Sequence, residues 1–177
     1  IKDKEIAVIG SIYPWLECIS LNCGAKSVTT VEYIVPEVNH PNIQAISYYK
    51  DFKNSDKKYD CILSFSSIEH SGLGRYGVFL DPDGDLKTMN DIYDNLTDDG
   101  LLYLGIPVGP DALAWNANRI YGESKPEIMT TNNTEYGTGK HSTAGIARAG
   151  KKNMMAERDI AHAVAMEMQA KRDAIEK

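Results

Sequence analysis

The chain has 177 residues, 42% of them hydrophobic, which is enough for one domain with a core of its own and short for two. A net charge of −6 and a pI of about 5.2 set aside nucleic acid and anionic membranes as general partners. No apolar run approaches the roughly 20 residues of a membrane span, and no signal peptide is visible.

Taken in order, Glu5-Ile6-Ala7-Val8-Ile9 is a short apolar run that reads as a strand ending at Gly10-Ser11. Pro14 to Gly24 reads as a helix, with Pro near its first turn and Gly just past its end. Ser27 to Tyr33 is β-branched and carries Glu32 at its tip, about twenty residues after the first turn; Asn42 to Ser47 is a weaker third strand with Asp51 and Phe52 beyond it. Cys61 to Phe65 is a fourth, followed by the glycine-rich segment His70 to Gly77. Leu86, Met89, Ile92, Tyr93 and Leu96 recur at helical spacing within Asp85 to Leu96, and Leu101 to Ile106 is a fifth strand. Strands alternating with helices predict an α/β, Rossmann-like, doubly wound and mostly parallel sheet with right-handed crossovers.

Past Pro107 the pattern changes. Asp111 to Tyr121 reads equally as helix or extended chain, and Glu123 to Gly150 is polar and rich in Thr, Asn and Gly, as loops are. Met154 to Glu176 places Ala161, Val164, Met168 and Ile175 on one stripe, an amphipathic helix. Its apolar face suits docking on its own domain better than a protein partner, the stripe being too short for sustained heptads. The expected organisation is a Rossmann-like domain over 1–122, a polar linker or loop over 123–153 and a C-terminal helix over 154–177, with no clear strand after 122. Residues 138–177 hold eight Lys or Arg against five Asp or Glu, a charge of +3, which leaves −9 for the body.

Cys18, Cys23 and Cys61 lack zinc-site spacing and fit small core residues in a reducing compartment, so a cytoplasmic location is expected. The histidines at 40, 70, 141 and 162 are too scattered for a metal set, and Asp81-Pro82-Asp83-Gly84-Asp85 lacks the acceptor spacing of a calcium loop. No metal is expected.

In open α/β sheets ligands gather beyond the carboxyl ends of the strands. Glu69 and His70 follow the fourth strand there, and an imidazole beside a carboxylate suits proton transfer near neutrality. The plainer alternative is that Glu69 starts a turn and His70 bonds the loop backbone. Glu32 stands where a carboxylate binds ribose hydroxyls in Rossmann-like sites, and is equally readable as a solvated strand end. Asp51 faces the same choice between an adenine contact and an ordinary loop acid. Ser66 and Ser67 lack the glycine context of a hydrolase nucleophile.

The order of these residues resembles that of class I S-adenosylmethionine-dependent methyltransferases over roughly residues 4–108. The resemblance sets Gly10 and Ser11 in the cofactor loop, Glu32 on the ribose, Asp51 beside the adenine, Ser64 to His70, with Ser66, in the motif after strand four, and Asp99-Gly100-Leu101-Leu102 at the turn into strand five. Glu69-His70-Ser71-Gly72-Leu73-Gly74-Arg75-Tyr76-Gly77, Leu80-Asp81-Pro82-Asp83-Gly84-Asp85-Leu86 and Trp115-Asn116-Ala117-Asn118-Arg119-Ile120-Tyr121-Gly122 further resemble an uncharacterised methyltransferase-like family, a domain of unknown function found in nematodes and elsewhere. Two departures stand out. Tyr13-Pro14-Trp15 replaces the second and third loop glycines, and residues 123–177 show nothing like the antiparallel pair that closes such sheets, so the edge is either truncated or covered by the terminal helix.

One reading is therefore a methyltransferase using S-adenosylmethionine on a small-molecule or glycan-like acceptor. Gly10, Ser11, Glu32, Asp51 and Ser66 would hold the cofactor and Glu69 or His70 would orient or deprotonate the acceptor. Arg75, Tyr76, Asn116 and Arg119 would contact the acceptor, Arg75 favouring an anion. The other is a binding or scaffold module that keeps the sheet without the cofactor. A nucleotide-sugar or NAD enzyme is the weakest, since the phosphate-cradling glycines are missing.

Overall fold

The computed structural model describes residues 1–122, the backbone of 143–150, and Lys151 and Met154. Among them, eight strands and two α-helices follow one another: β1 (Glu5–Ile9), α1 (Trp15–Asn22), β2 (Ser27–Glu32), β3 (Ile43–Ser47), β4 (Tyr59–Phe65), α2 (Gly84–Asn95), β5 (Leu96–Val108), β6 (Ala112–Ala114), β7 (Asn118–Ile120) and β8 (Thr143–Gly150). A wide helical turn, Tyr48–Phe52, follows β3, and a short tight one, Ile68–His70, follows β4.

The main sheet runs β3-β2-β1-β4-β5-β8, with the first five strands parallel. The order reverses between β1 and β4, the place beyond whose strand tips open α/β sheets take their ligands. β1 shows why both faces must be covered: Ala7 and Ile9 belong to one buried cluster with Phe52, Ile62, Ile92 and Leu102, while Ile6 and Val8 belong to another with Val28 and Cys61. A continuous apolar run, rather than alternation, is what such a strand requires.

The C-terminal edge departs from the sequence reading. Thr143–Gly150, expected as loop, pairs antiparallel with β5 from Leu101↔Gly150 to Val108↔Thr143. Its residues are too small and polar to signal a strand; the open edge of β5 supplies the hydrogen-bonding template. Asp111 to Tyr121 resolves as a hairpin, β6 against β7. Met154 is buried in the larger cluster, and the rest of the helix expected over 154–177, like 123–142, lies outside the described residues. Among those described, no helix is long and apolar enough to cross a membrane.

Candidate functional site

The first turn is held from below. Gly10 adopts φ +76°, a conformation that favours glycine, and donates its N–H to the Val31 carbonyl at 3.1 Å. A Cβ at Gly10 would lie 2.0 Å from Ser67 Oγ, so the turn sits directly against the chain leaving β4. Ser11 is buried and its hydroxyl is shared between the Tyr13 carbonyl (2.7 Å) and Glu17 Oε2 (3.0 Å). Any contact of Ser11 with a ligand therefore falls to its backbone. Glu17 itself is fully buried, its other oxygen accepting from Thr30 Oγ1 on β2 at 2.7 Å. The sequence reading passed over Glu17; its α1 position among exposed Cys18 and Ile19 gives only the weak hint of an acid on the inward helix face.

Tyr13 and Trp15 stand where the missing glycines would be. Tyr13 is 77% exposed, and Trp15 packs edge-on against Phe65 at the tip of β4, ring centroids 5.6 Å apart. Beside Gly10, in register through Ile9↔Val31, β2 ends at Glu32. Its carboxylate has one oxygen, Oε1, that is buried without a hydrogen-bond partner. Burial, and then the Glu17 charge, push its pKa up, against a backbone hydrogen bond from Tyr33 that pulls it down. This is a donor-hungry carboxylate at a strand tip. Asp51 is less available: it is exposed, and its Oδ2 accepts the Ser47 N–H at 3.0 Å, closing the wide turn after β3.

After β4, Ser66 takes φ +51° and donates its N–H to the Gly105 carbonyl on β5. Its hydroxyl donates to Glu69 Oε1 at 2.8 Å. Glu69 is fully buried, and its Oε2 has no hydrogen-bond partner. The His70 ring bonds the Ala117 carbonyl through Nδ1 and sets Nε2 3.6 Å from Glu69 Oε1. A carbonyl accepts only, so Nδ1 carries the proton and the lone pair of the neutral ring lies on Nε2. Tyr76 meets His70 edge-on at 5.9 Å, and Arg75 lies over the Tyr76 ring at 5.6 Å. Glu69, His70, Arg75, Tyr76 and Ser66 are thus brought into one cluster.

Asn116 and Arg119 come to the same region in other capacities. Asn116, exposed with φ +51°, makes the left-handed turn of the β6–β7 hairpin, which Asn tolerates better than most residues. Arg119 is buried and spends its guanidinium on the carbonyls of Ser71 (2.6 Å) and Pro82 (3.0 Å) and on Asp85 at 3.4 Å. Asp85, fully buried, also accepts from the Tyr121 hydroxyl, and burial with the Asp85 charge pushes the Tyr121 pKa well up. Arg119 therefore ties the hairpin, the glycine loop and the start of α2 together. Among the described residues, no group of three or more His, Cys, Asp or Glu could hold a metal ion.

This architecture, a Rossmann-like, mostly parallel sheet whose strand order reverses between β1 and β4, is a methyltransferase-like fold. The crystal structure of Burkholderia thailandensis 1,6-didemethyltoxoflavin-N1-methyltransferase, with bound 1,6-didemethyltoxoflavin and S-adenosylhomocysteine, superposes with a TM-score of 0.62 at 15% identity, over 84% of this chain and 71% of that one. The complex of the Haloferax volcanii Trm112 methyltransferase activator with a putative methyltransferase gives 0.46 at 13% identity, over 61% and 47%. The cyclopropane synthase MmaA2 from Mycobacterium tuberculosis gives 0.43 at 15%, over 61% and 38%. At such identities the likeness concerns the fold alone. The chain belongs to the family described as Caenorhabditis protein of unknown function, DUF268, whose model matches residues 3–143. No curated protein matches its sequence.

Proposed function

We propose that the protein is an S-adenosylmethionine-dependent methyltransferase acting on a small-molecule acceptor. The observation that carries this reading is Glu32, a strand-tip carboxylate with a buried, unpartnered oxygen beside the Gly10 turn. A buried acceptor without a donor carries a desolvation penalty of about 1–3 kcal/mol, and a ribose diol would relieve it with two hydroxyl donors. S-adenosylmethionine held there by the Gly10 turn and Glu32 would supply an electrophilic methyl group.

The chain's own work is positioning and proton transfer. His70 Nε2 takes the acceptor's proton, and Nδ1–H on the Ala117 carbonyl fixes the tautomer. Glu69, held by Ser66, lies 3.6 Å away to balance the imidazolium that forms. Tyr76 and Arg75 wall the approach to the imidazole.

The scaffold reading is favoured by one observation. Ser67 packs on Gly10, and the Ser11 hydroxyl turns inward, so the loop offers less open backbone than a glycine-rich one. Calorimetric titration with S-adenosylmethionine and S-adenosylhomocysteine separates the two. Micromolar binding, about 8 kcal/mol, that falls at least tenfold in Glu32→Ala is expected of the enzyme. The absence of heat at millimolar ligand from folded protein would sink it in favour of the scaffold.

A further inference from the structure

A concavity borders the glycine loop that follows the Glu69–His70 turn. It has a volume of about 590 Å³ and is walled by the glycine loop, the Leu80–Pro82 segment and the β6–β7 hairpin. Leu73, Leu80, Leu113, Trp115, Ile120 and Tyr121 line it. Of these, Leu80 (63%), Leu113 (60%) and Trp115 (72%) are strongly exposed, an apolar rim that water covers unless something else does. The volume falls within the few hundred to about a thousand Å³ of small-molecule sites.

Polar side chains on the wall are already committed. Arg119 is held by the Ser71 and Pro82 carbonyls and Asp85. Asp81 is paired with Lys87 at 2.6 Å, and Asp111 accepts the Gly122 N–H at 2.9 Å. What remains for a ligand is hydrocarbon and one indole. Arg75, expected from the sequence to favour an anion, does not line the cleft; its guanidinium lies over Tyr76.

The walls are braced rather than loose. Gly72 takes φ +76° with a Cβ position 2.1 Å from the Asp81 carbonyl, to which its own carbonyl is tied by the Asp81 N–H at 2.8 Å. The hairpin is pinned from inside by Arg119 and, through Ala117, by the His70 ring. The cleft thus begins two residues after His70, at Gly72, while Ser67, three residues before His70, touches Gly10.

We infer that this cleft is the acceptor site and that its ligand is an uncharged, largely apolar small molecule with a planar ring system, seated against Trp115 between Leu80 and Leu113. This rests on the methyltransferase reading for the word acceptor, and on the cleft alone for the ligand class. The cleft wall at Gly72 follows His70 by two residues, though His70 itself does not line it, and a preformed apolar wall needs no charged anchor to gain affinity.

The test uses 2-naphthol as the planar neutral probe, 2-naphthalenesulfonate as its anionic counterpart and methyl glucoside as a sugar. Calorimetry on the whole chain is expected to show saturable 2-naphthol binding that weakens at least tenfold in Leu113→Asp and in Trp115→Ser. Both positions are exposed, and unchanged thermal melts check that the variants fold. Sulfonate should bind more weakly and glucoside not at all. Failure of 2-naphthol to bind saturably, as in a cleft filled by another part of this chain or meant for a protein, overturns the proposal, as does equal binding by the variants or tighter binding of sulfonate or glucoside. S-adenosylhomocysteine titrated on the same samples reads the underlying proposal separately. Naphthol binding without cofactor binding would leave an apolar ligand site in a protein that is no methyltransferase, whereas cofactor binding without naphthol binding would sink the ligand class alone.

Discussion

Two charged residues, Glu32 at the tip of β2 and Arg119 on β7, meet opposite fates. Arg119 is enclosed by chain that satisfies it: carbonyls of Ser71 and Pro82 and the Asp85 carboxylate all lie within hydrogen-bonding or ion-pair distance. Glu32 is half-buried by chain that does not satisfy it, and Oε1 is left without a donor. The first arrangement braces a fold; the second stores an unmet hydrogen bond that a ligand can use. Glu69 combines the two, with Oε1 engaged by Ser66 and 3.6 Å from His70 Nε2, and Oε2 unpartnered.

The largest effect is expected where the brace is removed. Arg119→Met leaves Asp85 as a buried charge and several carbonyls without donors, and should cost about 3–5 kcal/mol in urea denaturation. A loss below about 1 kcal/mol, the range of an exposed ion pair, would break the contrast. Gly10→Ala comes next. Its φ of +76° and the clash with Ser67 Oγ add up to strain, about 1–2 kcal/mol for the backbone alone. Ser67→Gly in that background should restore the steric part but not the backbone part, so a full rescue would show that φ is not the constraint.

The smallest effect sharpens the Glu32 side. Burial raises its pKa, so the native state holds the proton more tightly than the unfolded chain and the buried charge weighs on stability above the raised pKa. Glu32→Gln should therefore melt at the same or a higher temperature than wild type at pH 7. The gap should close as pH falls below the ordinary Glu value of about 4.3, where both states are protonated. A variant less stable at pH 7 would mean that the carboxylate is paired in the free protein.

Legibility in the sequence followed the kind of interaction. β1, β4 and β5 were readable because a strand buried on both faces must be apolar throughout, and α2 because one face packs on the core. The wide turn after β3 is not: the sequence leaves Asp51 open between an adenine contact and an ordinary loop acid, and its bond to the Ser47 N–H, which closes the turn, has no signature along the chain. β8 was missed because Thr143–Gly150 owes its conformation to the edge of β5. Among the candidate site residues, Glu32, Glu69 and His70 are visible as acids and an imidazole after strand tips, whereas Glu17 is hidden on a helix and is found only through its bonds to Ser11 and Thr30.

The sequence by itself determined the α/β class and the mostly parallel sheet, since these follow from local periodicity and the geometry of crossovers. Only the tertiary structure decided which charges are spent and which are free. Whether Arg119 contacts a ligand or a carbonyl, and whether Glu32 has a donor, depends on residues dozens of positions away in the chain, such as Asp85 and Ser71. Hydrogen-bond satisfaction is a property of the packed neighbourhood, which no spacing along the chain records.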